Sequence, residues 1–267
     1  MTRQPRSRGV LRLSARPGAR IGDLHQSGSL KALFPAARHG MLNAVFLNTS
    51  GGVTGGDRYS ITAEARDGAA LSLTSQAAER LYRAQPDETG HVEVSLRVGA
   101  GGRLDWLPQE TILFDAARVC RRFQVDLEPD ARFLAVEPLV FGRVAMGEVV
   151  RDGLLKDRWR LRRDGRLIFA DNLTFDSADL PLDRQRMRPG VAAGAGAMAA
   201  LLFAAPGAEA ALADLRWLLG PTGGASLVAP DLIFARIVAP DGFELRKRLI
   251  PAVTRLSGQD IPKTWTL

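Results

Sequence analysis

Apolar and polar residues alternate with a period of two over most of the first two-thirds of the chain, the pattern of strands that bury one face. His91-Val92-Glu93-Val94-Ser95-Leu96-Arg97-Val98 is the clearest run. The same rhythm marks residues 42–47, 59–65, 70–74, 103–107, 123–127, 131–136, 142–150, 156–161 and 166–169. Turn signals punctuate it at Asp67-Gly68, Gly99-Ala100-Gly101-Gly102, Arg151-Asp152-Gly153 and Arg163-Asp164-Gly165. A short first strand is expected at Leu11-Arg12-Leu13 before Pro17-Gly18, and a loop at residues 26–30. Residues 76–85 have helical propensity but lie between strands, so their state stays open.

The period lengthens late in the chain. Residues 208–219 place Ala211, Leu212, Leu215, Leu218 and Leu219 on one helical face, and Gly220-Pro221 stops the helix. Residues 243–256 repeat the pattern with Phe243, Leu249, Ile250, Val253 and Leu256, while Pro251 kinks this helix or marks its start. Strands are expected between them at residues 226–229 and 232–238. No fixed-period repeat or linker divides the 267 residues. The pattern predicts one mostly β, mostly antiparallel domain with two α-helices in its C-terminal part.

Composition changes that picture in two ways. The formal net charge is +7, and arginines load the start of the chain, so residues 1–20 read as a loose basic tail. Stacking aromatics are not interleaved with the basic residues, which favours a solvated basic surface over nucleic-acid binding. One cysteine, Cys120, excludes an intramolecular disulfide and fits a reducing compartment. The longest apolar run, residues 191–205, is too short for a membrane helix, and no signal peptide is visible. A soluble, cytoplasmic protein is expected.

Candidate chemistry is sparse. Gly51-Gly52 and Gly55-Gly56 lead into Asp57-Arg58 between two expected strands. A phosphate-cradling loop needs a lysine and a following helix, whereas Asp57 would repel phosphate. The remaining readings are a shaped turn or bulge, and a loop presenting Asp57 to a cation or partner. Gly194-Ala195-Gly196-Ala197-Met198-Ala199 fits a dinucleotide fingerprint, so a dinucleotide-dependent enzyme is an alternative. No βαβ unit surrounds it, and a tightly packed small-residue strand suits the context better. No Gly-x-Ser-x-Gly elbow occurs. His25, His39 and His91 are scattered, so no tightly held metal or cofactor is expected. Pro108-Gln109-Glu110 sits between apolar runs, where a buried Glu110 would need a partner. Glu137-Pro138 and residues 142–148 pose the same question.

By ordered motifs the chain resembles the UreD (UreH) urease accessory protein family. Ser27-Gly28-Ser29-Leu30-Lys31 is similar to that family's opening segment, and Gly51-Gly52-Val53-Thr54-Gly55-Gly56-Asp57 to its glycine hallmark. Arg80-Leu81-Tyr82-Arg83, the Leu107-Pro108-Gln109-Glu110-Thr111 stretch, and Gly142-Arg143 with Gly147-Glu148 complete the match. Ala116 departs from the family's usual glycine, a tryptophan is missing from residues 251–254, and the terminal motif reads Pro262-Lys263-Thr264-Trp265. The resemblance implies an elongated, β-helix-like fold and a non-enzymatic maturation factor. It implies apo-urease, UreF and, through UreF, the GTPase UreG as partners, with Ni2+ passing transiently through an interior passage. Asp57, Glu110 and Glu148, inside the motifs, are the carboxylates expected to meet that ion. The alternative from the residues alone is a β-rich binding protein for another acidic partner.

Overall fold

The structure, a computed structural model, describes residues 6–37 and 39–266. Strands β1 (Arg8–Arg16) and β2 (Arg20–Gly28) form a hairpin in the first of two sheets. The chain then crosses to the second sheet for the antiparallel pair β3 (Leu30–Leu33) and β4 (Leu42–Asn48). The glycine loop carries it back to β5 (Arg58–Ala65). From there it winds. β6 (Ala70–Ser75) lies in the second sheet, and the short β7 (Glu79–Leu81) leads back to β8 (Gly90–Val98) in the first. Another circuit follows through β9 (Arg103–Trp106) and the short β10 (Thr111–Leu113) to β11 (Ala117–Leu127). β12 (Arg132–Phe141) returns to the second sheet, and β13 (Gly153–Arg163) and β14 (Arg166–Asp176) close the first as a hairpin. A short α1 (Leu182–Met187) precedes β15 (Ala197–Ala204), α2 (Leu212–Leu219), β16 (Gly223–Ala229), β17 (Leu232–Ala239) and α3 (Gly242–Ser257).

The β-helix-like expectation holds, but strand direction differs from the antiparallel one. Each circuit stacks on the next, so β1, β5, β8, β11 and β13 are parallel neighbours in register. So are β4, β6, β9 and β12. Antiparallel pairs occur at the ends, in the hairpins and in the β12–β15–β17–β16 series. Alternation states which face is buried, not which strand lies alongside.

The basic start is also ordered where described. Gly9, Leu11, Leu13 and Ala15 point into the core, while Arg8, Arg12 and Arg16 alternate outward, so residues 8–16 form a strand rather than a loose tail. Residues 1–5 lie outside the described part. Much of the expected 26–30 loop belongs to the ends of β2 and β3. Residues 142–150 form no strand, because Gly142 and Gly147 both take left-handed φ values, +78° and +67°, around a single 3-10 turn. The dinucleotide reading falls with the topology: Gly194 and Gly196 precede β15, an all-antiparallel strand whose buried Ala197, Met198 and Ala199 pack tightly.

The main core fills the space between the two sheets. A second core lies on the far side of the second sheet, under α2 and α3. There Leu215 and Leu219 meet Leu245, Leu249, Val253 and Leu256. Asp241 caps α3 by accepting from the Glu244 N–H (2.9 Å). Pro251 sits inside this helix on its exposed side, where water can satisfy the carbonyl it leaves free. Phe243, expected on the apolar face, is instead 68% exposed beneath the Lys247 ammonium. With α1, the described residues contain three α-helices rather than two. None is long and apolar enough to cross a membrane.

Candidate functional site

The glycine loop is the crossing between the two sheets, and Asp57 locks it. Asp57 is 4% exposed, and its carboxylate accepts from the backbone N–H of Ser7 (2.7 Å) and of Thr54 (2.9 Å). Gly52 lies against the next circuit, where an added Cβ would overlap the Tyr82 ring and approach the Arg80 carbonyl oxygen to 2.5 Å. Tyr82 returns the contact by donating to the Gly51 carbonyl (3.1 Å) and packs edge-on against Phe114. Gly52→Ala is therefore expected to cost about 1–3 kcal/mol by overpacking. Urea melts read this, and a loss below about 0.5 kcal/mol would contradict the close packing.

The other motifs are fasteners too. The buried Gln109 donates its backbone N–H to the Ser75 hydroxyl (2.8 Å) and its side-chain amide to the Gln76 carbonyl (2.7 Å). Its side-chain oxygen and that of Glu110 both accept from Arg246 of α3, at 3.1 and 2.6 Å. Arg246 also donates to the Trp265 carbonyl (2.7 Å), and Trp265 donates to the Leu107 carbonyl (3.0 Å). Leu107, Gln109 and Glu110, on either side of Pro108, thus hold α3 and the C-terminal turn onto the solenoid. Arg246→Ala is expected to cost about 1–3 kcal/mol and to loosen residues 258–266 first. Hydrogen exchange confined elsewhere would refute that order.

Glu148 forms a two-pronged pair with Arg143 (2.9 and 3.0 Å) and accepts from the Asp115 N–H (3.3 Å). Hydrogen bonding to Arg143 brings its carboxyl down to about 2. The Arg143 guanidinium also lies over the Phe114 ring. Arg83 reaches Asp115 (3.3 Å), so this corner ties the 80–83 motif to the 142–148 loop. Asp57, Glu110 and Glu148 consequently occupy separate places, each with its own hydrogen-bonding partners. Among the described residues, no group of three or more His, Cys, Asp or Glu side chains is placed to hold a metal ion.

The structure instead gathers charge in the interior. Between the sheets lies a cavity of about 70 Å3, walled by Phe46 and Trp106 and lined by Glu79, Arg121, Glu137 and Asp157. Arg121 of β11 donates to Glu137 of β12 (2.9 Å), to Thr111 (3.1 Å) and to Asp157 of β13, bridging the two sheets. Trp106 donates its indole N–H to the other Glu137 oxygen (2.7 Å). Burial disfavours the Arg121 charge, but Asp157 and Glu137 outweigh it and hold this guanidinium above its ordinary range. Burial pushes the Glu137 carboxyl up, against the pull of Arg121.

Glu79 stands at the edge of this space. It lines the cavity and also a surface pocket of about 170 Å3 formed with Asn48, Gly51, Gln76 and Arg80. Burial raises its carboxyl to about 7, opposed by a hydrogen bond from Asn48 and with a smaller upward push from Asp57. Glu79 lay hidden in the ambiguous 76–85 stretch. Arg121 and Asp157 carried a readable signal, being charged residues at the core-facing parity of Val119–Phe123 and Leu155–Trp159.

The fold is a two-sheeted β-solenoid with an ionisable interior and with α2 and α3 fastened to the outer side of its second sheet. Comparison with known proteins gives its family. The family model for the UreD urease accessory protein matches residues 7–266. The chain is 49% identical over 244 residues to a urease accessory protein UreD of Ruegeria pomeroyi, covering 91% of this chain and 94% of that protein. It is 46% identical to that of Rhizobium rhizogenes (100% and 97% covered) and 45% identical to that of Roseobacter denitrificans (99% and 96%). The chain belongs to the UreD urease accessory protein family, a family of accessory proteins and not of enzymes.

Proposed function

We propose that this chain is a cytoplasmic urease maturation chaperone. It binds apo-urease and, with UreF and the GTPase UreG, enables Ni2+ to reach the urease active site through its own interior. The observation that carries this reading is the carboxylate-lined cavity between the sheets, which Glu79 joins to a surface pocket. Family membership supports a role in urease maturation. A divalent cation entering a low-dielectric space needs oxygen ligands of opposite charge. Glu79, and Glu137 and Asp157 around Arg121, offer such oxygens in succession rather than as one metal cluster, without the sulfur and imidazole donors that would hold the ion tightly. Asp57, Glu110 and Glu148 are engaged in their own hydrogen bonds outside the cavity lining, and Asp57 adds a small push on the Glu79 carboxyl. The ion is cargo, and no resident cofactor is required.

The test is urease activation in cells whose own copy of this gene is deleted and replaced by variants. Glu79→Gln, Glu137→Gln and Asp157→Asn are each expected to lower activation by at least about tenfold, a step of 1.4 kcal/mol in the controlling barrier. Recovery of apo-urease on the tagged variant must stay at the parent level. Full activation by all three would remove the interior route, whereas full activation by a combined Asp57→Asn, Glu110→Gln and Glu148→Gln series would remove only a part for those three carboxylates in meeting the ion. Loss of apo-urease recovery from the unmodified chain would remove the chaperone reading itself.

A further inference from the structure

The solvent face of the first sheet is charged in a way that the fold does not need. Parallel registration places Arg8 opposite Arg58 on β1 and β5, and Arg122 opposite Arg158 on β11 and β13. Like charges on directly facing positions of neighbouring strands destabilise a sheet. Lys156 and Arg160 flank Arg158 at the outward positions of the same strand. Among the described residues, Arg12, Arg58 and Arg158 are exposed and form no ion pair, and Arg122 has a 3.4 Å contact to the exposed Glu93.

Apart from His91, opposite Arg58, the face lacks aromatic rings. Tyr59, Phe123, Trp159 and Phe175 of these strands all turn inward and are buried. Strands β1, β5, β8, β11, β13 and β14 lie side by side. At strand spacings of about 4.8 Å and about 3.3 Å per residue they present roughly 750 Å2. A standard protein–protein interface covers about 800 Å2 on each partner.

We infer that the outer face of the first sheet is a docking surface for an acidic protein surface, a partner whose clustered carboxylates relieve the arginine–arginine repulsion built into the register. This site is separate from the interior cavity. A protein fits better than a nucleic acid because the face offers no helix or ribbon to enter a groove and only the single His91 ring beside its arginines. Its interspersed Glu64, Glu93 and Asp126 also oppose a uniform run of phosphates.

The experiment compares three full-length proteins: the parent, the face variant Arg12→Thr/Arg58→Thr/Arg158→Thr, and the control Arg184→Thr/Arg188→Thr/Arg248→Thr, which removes the same charge away from the first sheet. Each is titrated with purified apo-urease, with polyglutamate and with a 30-base-pair DNA duplex at low and physiological salt. The face variant is expected to melt no lower than the parent, because repulsion is removed. It is expected to bind apo-urease and polyglutamate at least about tenfold more weakly and with a shallower salt dependence. The control is expected to change less than about threefold. Equal weakening in the control, or unchanged binding by the face variant, overturns the inference. So does tighter binding of the duplex than of polyglutamate through these arginines. A parent that binds polyglutamate through this face but not apo-urease leaves the inference standing and removes the proposed partner.

Discussion

Arg121→Met is expected to destabilise the protein by about 3–5 kcal/mol at neutral pH, the range for stranding buried charges by removing one partner. Arg121, Glu137 and Asp157 have side chains only 14%, 11% and 6% exposed. Removing the guanidinium leaves two carboxylates facing the interior cavity, with the Trp106 indole N–H still donating to Glu137. The loss has a signature. Burial already pushes the Glu137 carboxyl upward, so lowering the pH neutralises the stranded charge and returns part of the stability. The triple variant Arg121→Met/Glu137→Gln/Asp157→Asn is expected to recover most of it, since an uncharged interior of similar volume avoids the desolvation cost. Urea denaturation of the three proteins decides the matter. A loss under about 1 kcal/mol for Arg121→Met would mean that water enters the cavity freely and that the cluster is not a closed interior.

Glu79→Gln is expected to change how stability depends on pH. The folded carboxyl lies at about 7 against an ordinary 4.5. Between those values the folded chain holds a proton that the unfolded chain has released, so folding is favoured at the acidic end. That contribution fades as pH rises through about 7 and is gone above it, with a full size of about 3 kcal/mol. Glutamine keeps an oxygen for Asn48 but cannot ionise. The variant should match the parent near pH 5 and exceed it by about 2–3 kcal/mol near pH 8. Parallel pH profiles for the two proteins would place Glu79 in water and detach it from the cavity. A carboxyl poised near neutrality is also suited to trading its proton for a cation, which links this measurement to the proposed route for Ni2+.

Much of the architecture was legible along the chain. The period-two runs placed the strands, glycine-containing pairs placed the turns, and the period of 3.6 placed α2 and α3, since these depend on local propensity and on which face is buried. The family-like motifs around Gly52, Gln109 and Arg143 were also visible as residue types in order. Three things were settled only by the tertiary fold. Parallel stacking was invisible because alternation is blind to the neighbouring strand, so β1 read as a short strand at residues 11–13 within a loose basic tail and the body as antiparallel. The roles of Asp57, Glu110 and Glu148 as fasteners depended on partners 50, 136 and 5 residues away. The interior cluster and the arginine rows arise only when β5, β8, β11 and β13 come into register. A sequence states what each strand can bury, whereas long-range registration decides which charges share a cavity or face the same partner.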